Sequence, residues 1–380
     1  CERLAARGWR ITLNDQAPGP AAGASGLHAA VLHPHVSGDD CLLSRLSRNG
    51  FLYSLSAWRA LEQAGHALSW QPCGVARPAE HGPMAQKMRL ALEQLQYPAA
   101  YAEYLDREAL ELHCGYPLAQ GGYWFPQGGW MQPASLIRAQ LAQSRAETRF
   151  DRQVDRLLRR GQRWQALAAD GAVIAEAPVA VLANSTDATR LIPIGHHLQR
   201  VRGQLTGLPP VTLSGLRCVV AGKGHVLPPV AGISVAGSTY DIDSDETGPT
   251  PAGHRHNLAA LEKLMPGISI PADPGMLDGS VGFRAVAVDR MPLIGAMPDM
   301  DVLRSRQKEL RGARLKDMPR LPGLYGTFGY ASRGLNWAAL GGELIASLLD
   351  GEPLPLEKNL VDAIDPARGA MRRLRREGIV

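Results

Sequence analysis

Hydrophobic and polar positions between residues 324 and 349 follow two successive periods. The mostly apolar run from Leu324 to Tyr330 predicts a short buried strand that ends at Gly329. Small and apolar residues then recur at helical spacing, at Leu335, Ala338, Ala339, Gly342, Ile345 and Leu349. This spacing predicts a helix that begins near Ser332, where free N–H groups and the positive end of the dipole favour an anionic ligand. An ordinary strand–turn–helix connection is the alternative interpretation.

The first fifteen residues have a pattern typical of the end of a βαβ unit. Cys1 to Arg7 predicts the end of a helix, Gly8 its C-terminal stop, and Ile11 to Leu13 a buried strand. Asp15 follows the strand, where dinucleotide-binding folds place a carboxylate for the ribose hydroxyls, about 20 residues after a glycine fingerprint. Counting back from Asp15, that GxGxxG segment would fall upstream of the first residue. A helix and a strand followed by an incidental Asp are the alternative.

The remaining pattern predicts an α/β fold in which antiparallel strands twice interrupt a nucleotide-binding domain. Helices are expected at 51–64, 133–142 and 252–264, and strands within 70–130, 164–183 and 201–284. The predicted domains are a nucleotide-binding domain at 1–60, 134–200 and 284–367, a substrate domain at 61–133 and 201–283, and a basic C-terminal tail at 368–380.

Composition narrows the class of protein. A chain of 380 residues with 45% hydrophobic residues can bury a large core, and its length suggests two or three domains. No apolar run approaches the roughly 20 residues that span a bilayer, and no signal peptide opens the sequence. The five cysteines are scattered without CxxC pairs, which argues against structural zinc and predicts a reducing, cytoplasmic location. A net charge of +5 permits a nucleic-acid partner without requiring one.

Two clusters of side chains suggest further sites. The first contains potential metal ligands, His33, His35, Asp39 and Asp40. Because Pro34 interrupts regular geometry and no further spaced ligands follow, we expect no metal site here. A loop near a cofactor, or a helix capped by one of the two aspartates, is favoured instead. The second cluster, Tyr123, Trp124, Phe125 and Trp130, either lines a pocket or packs in the core.

Three motifs carry a resemblance to a known family. They are RVRGQL at 200–205, VGFRAVAVDRMPLIG at 281–295 and TFGYASRGL at 327–335. In this order they resemble the D-amino-acid-oxidase and glycine-oxidase superfamily of FAD enzymes. More narrowly, ERLAARGW, GASG, HPHVSGDDCLLSRLSRNGF, WFPQGGW and MRRLRREG are similar to the FAD-dependent oxidase half of the bifunctional enzymes that form 5-methylaminomethyl-2-thiouridine in tRNA. The resemblance implies a Rossmann-like FAD-binding domain interleaved with an antiparallel-sheet substrate domain.

The resemblance also implies an activity. Enzymes of this kind remove the carboxymethyl group from 5-carboxymethylaminomethyl-2-thiouridine at the tRNA wobble position, leaving the aminomethyl form and glyoxylate. The substrate side chain is an N-substituted glycine, so its oxidation needs an electron acceptor, which the flavin supplies, and a cation for the carboxylate. Arg284 matches the superfamily arginine that binds this carboxylate, and a planar guanidinium suits bidentate pairing. A surface salt bridge is the alternative role for Arg284.

The same resemblance implies a set of cofactor contacts. The residues expected to contact FAD are Asp15, Gly23, Ala24, Ser25, Val154, Asn184, Ser185, Gly329, Ser332, Arg333, Gly334 and Leu335. Asp15 would bind the adenosine ribose, Val154 the adenine edge through its backbone, and residues 332–335 the flavin ring where negative charge develops on reduction. Because the glycine fingerprint would lie upstream of Cys1, we expect these 380 residues alone to bind FAD weakly.

Two basic stretches are candidate contacts for a tRNA partner. One runs from Arg304 to Arg320, and the other is the predicted tail, where Arg372, Arg373, Arg375 and Arg376 are the expected phosphate contacts. Solvated helix faces are the usual explanation for such runs. A methyltransferase domain, fused or separate, is the second expected partner.

Two other functions fit parts of the pattern. A small-molecule amine oxidase of the glycine or sarcosine type would share every flavin feature but would need no basic tail. A flavin-free RNA-binding fragment would explain the missing fingerprint. The presence of bound flavin would exclude the RNA-binding fragment. Turnover of tRNA compared with turnover of sarcosine would separate the tRNA-modifying enzyme from the small-molecule amine oxidase.

Overall fold

The computed structural model describes residues 1–270 and 273–377. The chain divides into two compact units, unit 1 with residues 1–22, 137–200 and 284–380, and unit 2 with residues 23–136 and 201–283. Residues 23–60, which the sequence assigned to the nucleotide-binding domain, cluster with unit 2. They cluster there because they pair with strands of unit 2. Ala30 lies opposite Met131 in an antiparallel ladder, and the Trp58 ring contacts the Trp70 ring edge to face.

Unit 1 combines short helices with short strands. Its helices are α1 (Glu2–Ala5), α6 (Ala188–Leu191), α8 (Met300–Ser305), α9 (Gln307–Leu310), α10 (Gly334–Asp350), α11 (Lys358–Ile364) and α12 (Arg368–Glu377). Its strands are β1 (Thr12–Asn14), β8 (Glu147–Arg149), β9 (Arg156–Arg160), β10 (Arg163–Leu167), β11 (Val173–Ala177), β12 (Ala180–Leu182), β19 (Leu293–Pro298) and β20 (Arg320–Phe328). Three elements cross a unit boundary, α5 (Pro133–Ser144), β13 (Leu198–Leu208) and β18 (Gly279–Ala287).

Three small sheets organise unit 1. β1 pairs in parallel with β8, β12 in parallel with β20, and β20 in antiparallel fashion with β19, while β9, β10 and β11 form an antiparallel meander. Apolar side chains from these strands share one core, to which Trp164, Leu182, Leu293, Leu324 and Phe328 contribute. Burial of this core fixes the strand ends at which the candidate cofactor residues lie.

Unit 2 is built on a nine-stranded sheet and a three-stranded sheet. Its strands are β2 (Ala30–Leu32), β3 (Trp70–Gln71), β4 (Val75–Pro78), β5 (Glu103–Leu105), β6 (Gly122–Phe125), β7 (Gly129–Met131), β14 (Val219–Ala221), β15 (His225–Val226), β16 (Ser234–Gly237) and β17 (Asp241–Ile242). Its helices are α2 (Leu42–Gln63), α3 (Gly82–Leu95), α4 (Arg107–Cys114) and α7 (Pro251–Leu264). The large sheet has the order β17-β13-β16-β15-β14-β4-β6-β5, and β18 also pairs with β13.

One face of the large sheet carries the core of unit 2. Ala76, Trp124 and Val220 face helices α4 and α7 and pack with Leu110 and Leu261 in one buried cluster. The aromatic segment at 123–125 is therefore a buried strand, as the core interpretation predicts.

The segment 70–130 contains two helices where the sequence analysis expected only strands. Each has a side-chain N-cap, since His81 accepts from the N–H of Met84 and Asp106 accepts from the N–H of Ala109. Both caps could have predicted a helix start from the sequence. The aromatic, Gly and Pro residues of the flanking segments favoured strands and turns instead.

The predicted basic tail is a packed helix. Helix α12 buries Ala370 and Leu374 against α8 and α9, in a cluster with Met300 and Leu303. The guanidinium of Arg368 is also buried. The prediction of a separate tail is thus wrong for residues 368–377, because successive turns of this stretch are apolar enough to dock, and residues 378–380 lie outside the described residues.

Candidate functional site

Asp15 lies at the carboxyl end of β1 in unit 1. Asn14 is in register with Arg149 of β8, and the N–H of Asp15 donates to the carbonyl oxygen of Arg149 over 3.0 Å. The carboxylate Oδ1 accepts from the N–H of Ala17 over 2.9 Å, and the side chain is exposed. The second carboxylate oxygen accepts from no described residue, so it is open at the strand end where dinucleotide folds bind a ribose.

Residues 151–154 lie against Asp15. The N–H of Arg152 donates to the carbonyl oxygen of Asp15 over 2.9 Å. Two residues on, the carbonyl oxygen of Val154 accepts from Nη2 of Arg190 over 2.8 Å. The N–H of Val154 has no hydrogen-bond partner among the described residues. An open N–H beside a partly used carbonyl oxygen can pair with the edge of a heterocycle.

Asn184 and Ser185 follow β12, whose Leu182 is in register with Gly326 of β20. The side-chain oxygen of Asn184 is buried and accepts no hydrogen bond from any described residue, which costs about 1–3 kcal/mol. Ser185 has a φ of +58°, in the left-handed region that disfavours a side chain. An unsatisfied acceptor next to a strained residue is typical of a ligand site.

The turn before α10 is formed by residues with positive φ. Gly329 has a φ of +73° and Ala331 a φ of +50°, so the chain reverses tightly after β20. The N–H of Arg333 donates to the carbonyl oxygen of Tyr330 over 3.0 Å, and helix α10 begins at Gly334, two residues later than the sequence predicted. A Cβ atom built on Gly334 meets no atom within 4 Å, so the space beside this helix start is open.

Arg284 is held next to this turn. It lies in β18, and the following residue, Ala285, accepts the N–H of Ala331 over 2.9 Å. Val286 and Tyr330 also form an antiparallel bridge. The Arg284 side chain is partly buried. The structure thus places the backbone next to the predicted catalytic arginine beside the turn that precedes α10.

The predicted residues Gly23, Ala24 and Ser25 belong to unit 2. They lie in an exposed 3₁₀ turn in which the N–H of Gly26 donates to the carbonyl oxygen of Gly23 over 2.9 Å. A Cβ atom on Gly282 would lie 3.2 Å from the Cα of Ala24, so the backbone of this turn packs closely on that glycine. Their contact with a cofactor stays a prediction.

The segment 33–40 has structural contacts of its own. His33 stacks on Phe125, and Asp40 accepts from the guanidinium of Arg48 at 2.8 Å. No group of three or more potential metal ligands occurs in the described part of the chain. The prediction that an aspartate caps the next helix is wrong, because the N-cap of α2 is Cys41, which makes no side-chain cap hydrogen bond.

The four arginines predicted to contact tRNA are not equivalent. Nη1 of Arg372 pairs with Oδ2 of Asp289 at 2.8 Å, and Nη2 of Arg375 donates to the carbonyl oxygen of Ala313 over 3.1 Å. Within residues 1–270 and 273–376, Arg373 and Arg376 have no hydrogen-bond or ion-pair partner. The other basic stretch also contains cations without such partners in the described ranges, and together with these two arginines they are called the basic cluster below. Its members are Lys308, Arg311, Lys316, Arg373 and Arg376.

An anchor that the sequence analysis missed joins α12 to the segment after β18. The buried guanidinium of Arg368 donates to both oxygens of Asp289, at 2.9 and 2.8 Å, and to the carbonyl oxygens of Met291 and Pro292. Burial raises the pKa of Asp289, but the hydrogen bonds and charge of Arg368 outweigh it and hold that pKa well below its usual value. The pair is 79 residues apart, so no local pattern could reveal it.

Similarity to known proteins agrees with this geometry. Residues 3–348 match the FAD dependent oxidoreductase (DAO) family. The chain belongs to this family. The α/β fold predicted from the sequence is confirmed by solved structures of similar fold, including glycine oxidase from Bacillus cereus ATCC 14579 (TM-score 0.73, 17% identity, 94% of this chain and 92% of that one). Iminodiacetate oxidase from Chelativorans sp. BNC1 is also similar (TM-score 0.71, 20% identity, 96% and 95%).

Closer relatives by sequence carry the name tRNA 5-methylaminomethyl-2-thiouridine biosynthesis bifunctional protein MnmC. The protein from Cupriavidus necator H16 is 47% identical over 98% of this chain and 59% of its own length. The protein from Burkholderia pseudomallei 668 is 48% identical over 98% of this chain and 58% of its own length. The chain therefore spans about three fifths of these relatives. Among the described residues, no helix is long and apolar enough to cross a membrane.

The residues of unit 1 fit the cofactor of this family. The orphaned oxygen of Asn184 needs a donor, the N–H of Val154 needs an acceptor, and the open space beside Gly334 admits a flat ring close to the backbone. Adenine and ribose present both donors and acceptors, and the start of the 17-residue helix α10 favours negative charge.

Proposed function

We propose that this chain is an FAD-dependent oxidase that removes the carboxymethyl group from 5-carboxymethylaminomethyl-(2-thio)uridine at the tRNA wobble position, giving 5-aminomethyl-(2-thio)uridine and glyoxylate. The supporting observation is 47% and 48% identity, over 98% of the chain, to proteins named for 5-methylaminomethyl-2-thiouridine biosynthesis in tRNA. The product here differs from that nucleoside by one N-methyl group. A methyltransferase, fused or separate, would therefore consume it.

The proposed cofactor contacts divide by part of the dinucleotide. Asp15 would bind the ribose and Val154 the adenine edge, while the side-chain oxygen of Asn184 and the strained Ser185 would lie along the dinucleotide. Residues 329–335 would approach the flavin ring. Bound FAD would supply the electron acceptor for the Cα–H bond of the carboxymethyl group.

Arg284 would bind the carboxylate of the substrate. A guanidinium fork pairs with both carboxylate oxygens, which fixes the orientation of the adjacent methylene group. The hydrogen bond from Ala331 to Ala285 supports this role, because it holds the backbone beside Arg284 at the start of α10. Loss of two electrons and a proton from the secondary amine gives a protonated C=N bond, and water then adds to it and releases the free amine and glyoxylate.

The basic cluster would contact tRNA phosphates. Four of its five cations lie on α9, directly after it or on α12, and Lys316 lies in the 3₁₀ turn Leu315–Asp317. These segments share one apolar cluster with α8, and no acid within residues 1–270 and 273–376 pairs with the five cations. Arg304, Arg306 and Arg314 are already paired with acids three residues away. Phosphate contacts supply much of the affinity of such complexes and make it salt-dependent.

The test is release of glyoxylate by the FAD-loaded protein from tRNA that carries 5-carboxymethylaminomethyluridine. We expect one glyoxylate per modified tRNA and conversion of the nucleoside to its aminomethyl form. Matched tRNA without the modification is the control for background oxidation, and sarcosine is the control for small-amine oxidase activity. Turnover of sarcosine without turnover of the modified tRNA would contradict the proposed substrate.

A further inference from the structure

Strand β4 has two different faces. Ala76 lies in register with Trp124 and Val220 and belongs to the core beneath helices α4 and α7. Because successive side chains of a strand alternate, Arg77 points to the other face of the large sheet. Tyr123 of β6 is directly opposite Arg77 in the antiparallel register, so its side chain leaves the same face.

The guanidinium of Arg77 has no acceptor in the described part of the protein. The side chain is partly buried, yet it makes no hydrogen bond and no ion pair with any described residue. Burial lowers the pKa of Arg77 below its usual value, against the weaker opposing effects of Tyr123 and Glu80. Glu80 itself pairs with the exposed Lys223 at 2.7 Å. None of the guanidinium nitrogens belongs to the fully buried atoms without a partner, so they stay accessible to a ligand. An anion would supply the acceptor that this partly buried cation does not receive from the described residues.

Two arginines of the described residues are fully buried, and both are paired. Arg202, which is 2% exposed, donates to the carboxylate of Asp241, the side chain of Gln204 and two backbone carbonyl oxygens. Arg368, which is 1% exposed, has the acceptors described above. The fold therefore supplies acceptors to its two fully buried guanidinium groups, whereas none of its described residues accepts from the partly buried Arg77.

The neighbour of Arg77 is also unsatisfied. Tyr123 is 3% exposed, and its hydroxyl makes no hydrogen bond with any described residue. Burial raises the pKa of Tyr123, so the phenol stays protonated and can donate. A guanidinium and a phenol O–H side by side both donate towards an anion, and together they fit the oxygens of a carboxylate or a phosphate.

We propose that Arg77 and Tyr123 form an oxyanion-binding site for the substrate, on the face of the large sheet of unit 2 opposite helices α4 and α7. Assignment of the ligand to the substrate rests on the proposed function. The oxyanion is a phosphodiester of the tRNA, because the proposed function assigns the carboxylate of the nucleoside to Arg284.

The experiment compares the full chain with Arg77→Gln, Tyr123→Phe and a control, Arg89→Gln, which removes the same charge from an exposed arginine of α3. Dissociation constants are measured for the free nucleoside 5-carboxymethylaminomethyluridine and for modified tRNA. We expect Arg77→Gln to weaken tRNA binding roughly 10- to 100-fold, Tyr123→Phe to weaken it less, and the control to leave it unchanged. None of the three variants should change the affinity for the free nucleoside. Weaker binding of tRNA alone supports the phosphodiester, and weaker binding of the free nucleoside would contradict it.

Thermal unfolding separates this role from a structural one. Since Arg77 makes no hydrogen bond or ion pair within the described fold, Arg77→Gln should melt at or above the temperature of the wild type. Inorganic phosphate at high concentration should stabilise the wild type more than the variant if the ligand is a phosphodiester. A large fall in melting temperature, or unchanged affinity for tRNA, would overturn the proposal. Binding needs no turnover, so absence of glyoxylate from the wild type would contradict the proposed function and leave this site standing.

Discussion

Ala331 donates its N–H to the carbonyl oxygen of Ala285 over 2.9 Å, and this bond joins the strand that carries Arg284 to the turn before helix α10. The two segments are more than forty residues apart in sequence. This bond and the Val286–Tyr330 bridge hold the backbone beside Arg284 next to the turn that leads into α10. Orientation of a substrate against a bound ring requires side chains on backbone that is held in this way.

The first prediction concerns Arg284. Arg284→Ala in the FAD-loaded protein should keep the flavin spectrum and most of the tRNA affinity, because phosphate contacts dominate that affinity. Single-turnover glyoxylate release should fall by roughly one to four orders of magnitude, since loss of one partner of a charge-assisted pair costs ~2–5 kcal/mol. Arg284→Lys should recover part of the rate, because an ammonium cannot reproduce the fork. Release by the Ala variant at the wild-type rate would mean that another group holds the carboxylate.

The second prediction concerns Gly334, the first residue of α10. Its added Cβ would meet no protein atom, and its φ is not in the left-handed region, so Gly334→Ala should leave the flavin-free fold intact or stabilise it by up to about 1 kcal/mol. The same methyl group would occupy the space proposed for the ring. We expect weaker FAD binding by fluorescence titration, with Gly312→Ala as a control at another glycine with open space. Equal FAD affinity in both variants would place the ring elsewhere.

Hydrophobic periodicity predicted the strands and helices whose pattern lies within one short segment of the chain. The strand predicted at 324–330 lies at Arg320–Phe328, and the helix predicted from residue 332 lies at Gly334–Asp350. The helix starts two residues later than predicted because Ala331 has a positive φ, a conformation that an alanine in the sequence does not predict. Asp15, Val154 and Arg284 were chosen from order and resemblance, and the structure places each at a strand end or beside a turn.

Contacts over long sequence separations were not predictable. The Arg368–Asp289 pair anchors the predicted tail as a docked helix, and it changes which arginines remain for a polyanion. The sequence also could not show that Arg77 lacks an acceptor among the described residues, because its neighbours depend on the register of β4 with β6. Hydrophobic periodicity and motifs describe one segment of the chain. Hydrogen bonds and ion pairs such as Arg368–Asp289 form between segments that come together only on folding.

The third prediction concerns His196, whose Nε2 accepts the N–H of Gly369 at the start of α12 over 2.9 Å. Burial, followed by the charge of Arg368, lowers the pKa of His196 to about 4. The folded state therefore binds the proton less readily than the unfolded state, whose pKa is about 6.5. The stability from neutral His196 is present above pH ~6.5 and is lost as the pH falls towards 4.

Urea unfolding checks this dependence. The free energy of unfolding should be about 2 kcal/mol lower at pH 5 than at pH 7.5 from this group alone. His196→Gln should flatten that difference, because its amide oxygen can accept the same N–H without titrating. The result that would contradict the prediction is an equal loss of stability on acidification in the variant and the wild type.

The last prediction concerns the basic cluster and uses two double variants of equal charge. Arg373→Gln with Arg376→Gln removes two cations that the described residues leave unpaired. Arg372→Gln with Arg375→Gln removes two that already bind Asp289 and the carbonyl oxygen of Ala313. If unpaired cations bind phosphates, the first double variant should lower tRNA affinity and reduce the slope of log K against log salt by roughly 0.7 to 0.9 for each phosphate that is no longer neutralised.

The second double variant should change that slope less, although the net charge changes equally, because its two arginines are already engaged within the protein. Titration of tRNA binding between low and moderate salt measures both slopes, with flavin content as the check on folding. Equal slopes in the two double variants would mean that only net charge matters. An unchanged slope in the first would remove helix α12 from the tRNA surface, since the two arginines without a partner in residues 1–270 and 273–376 would then make no phosphate contact.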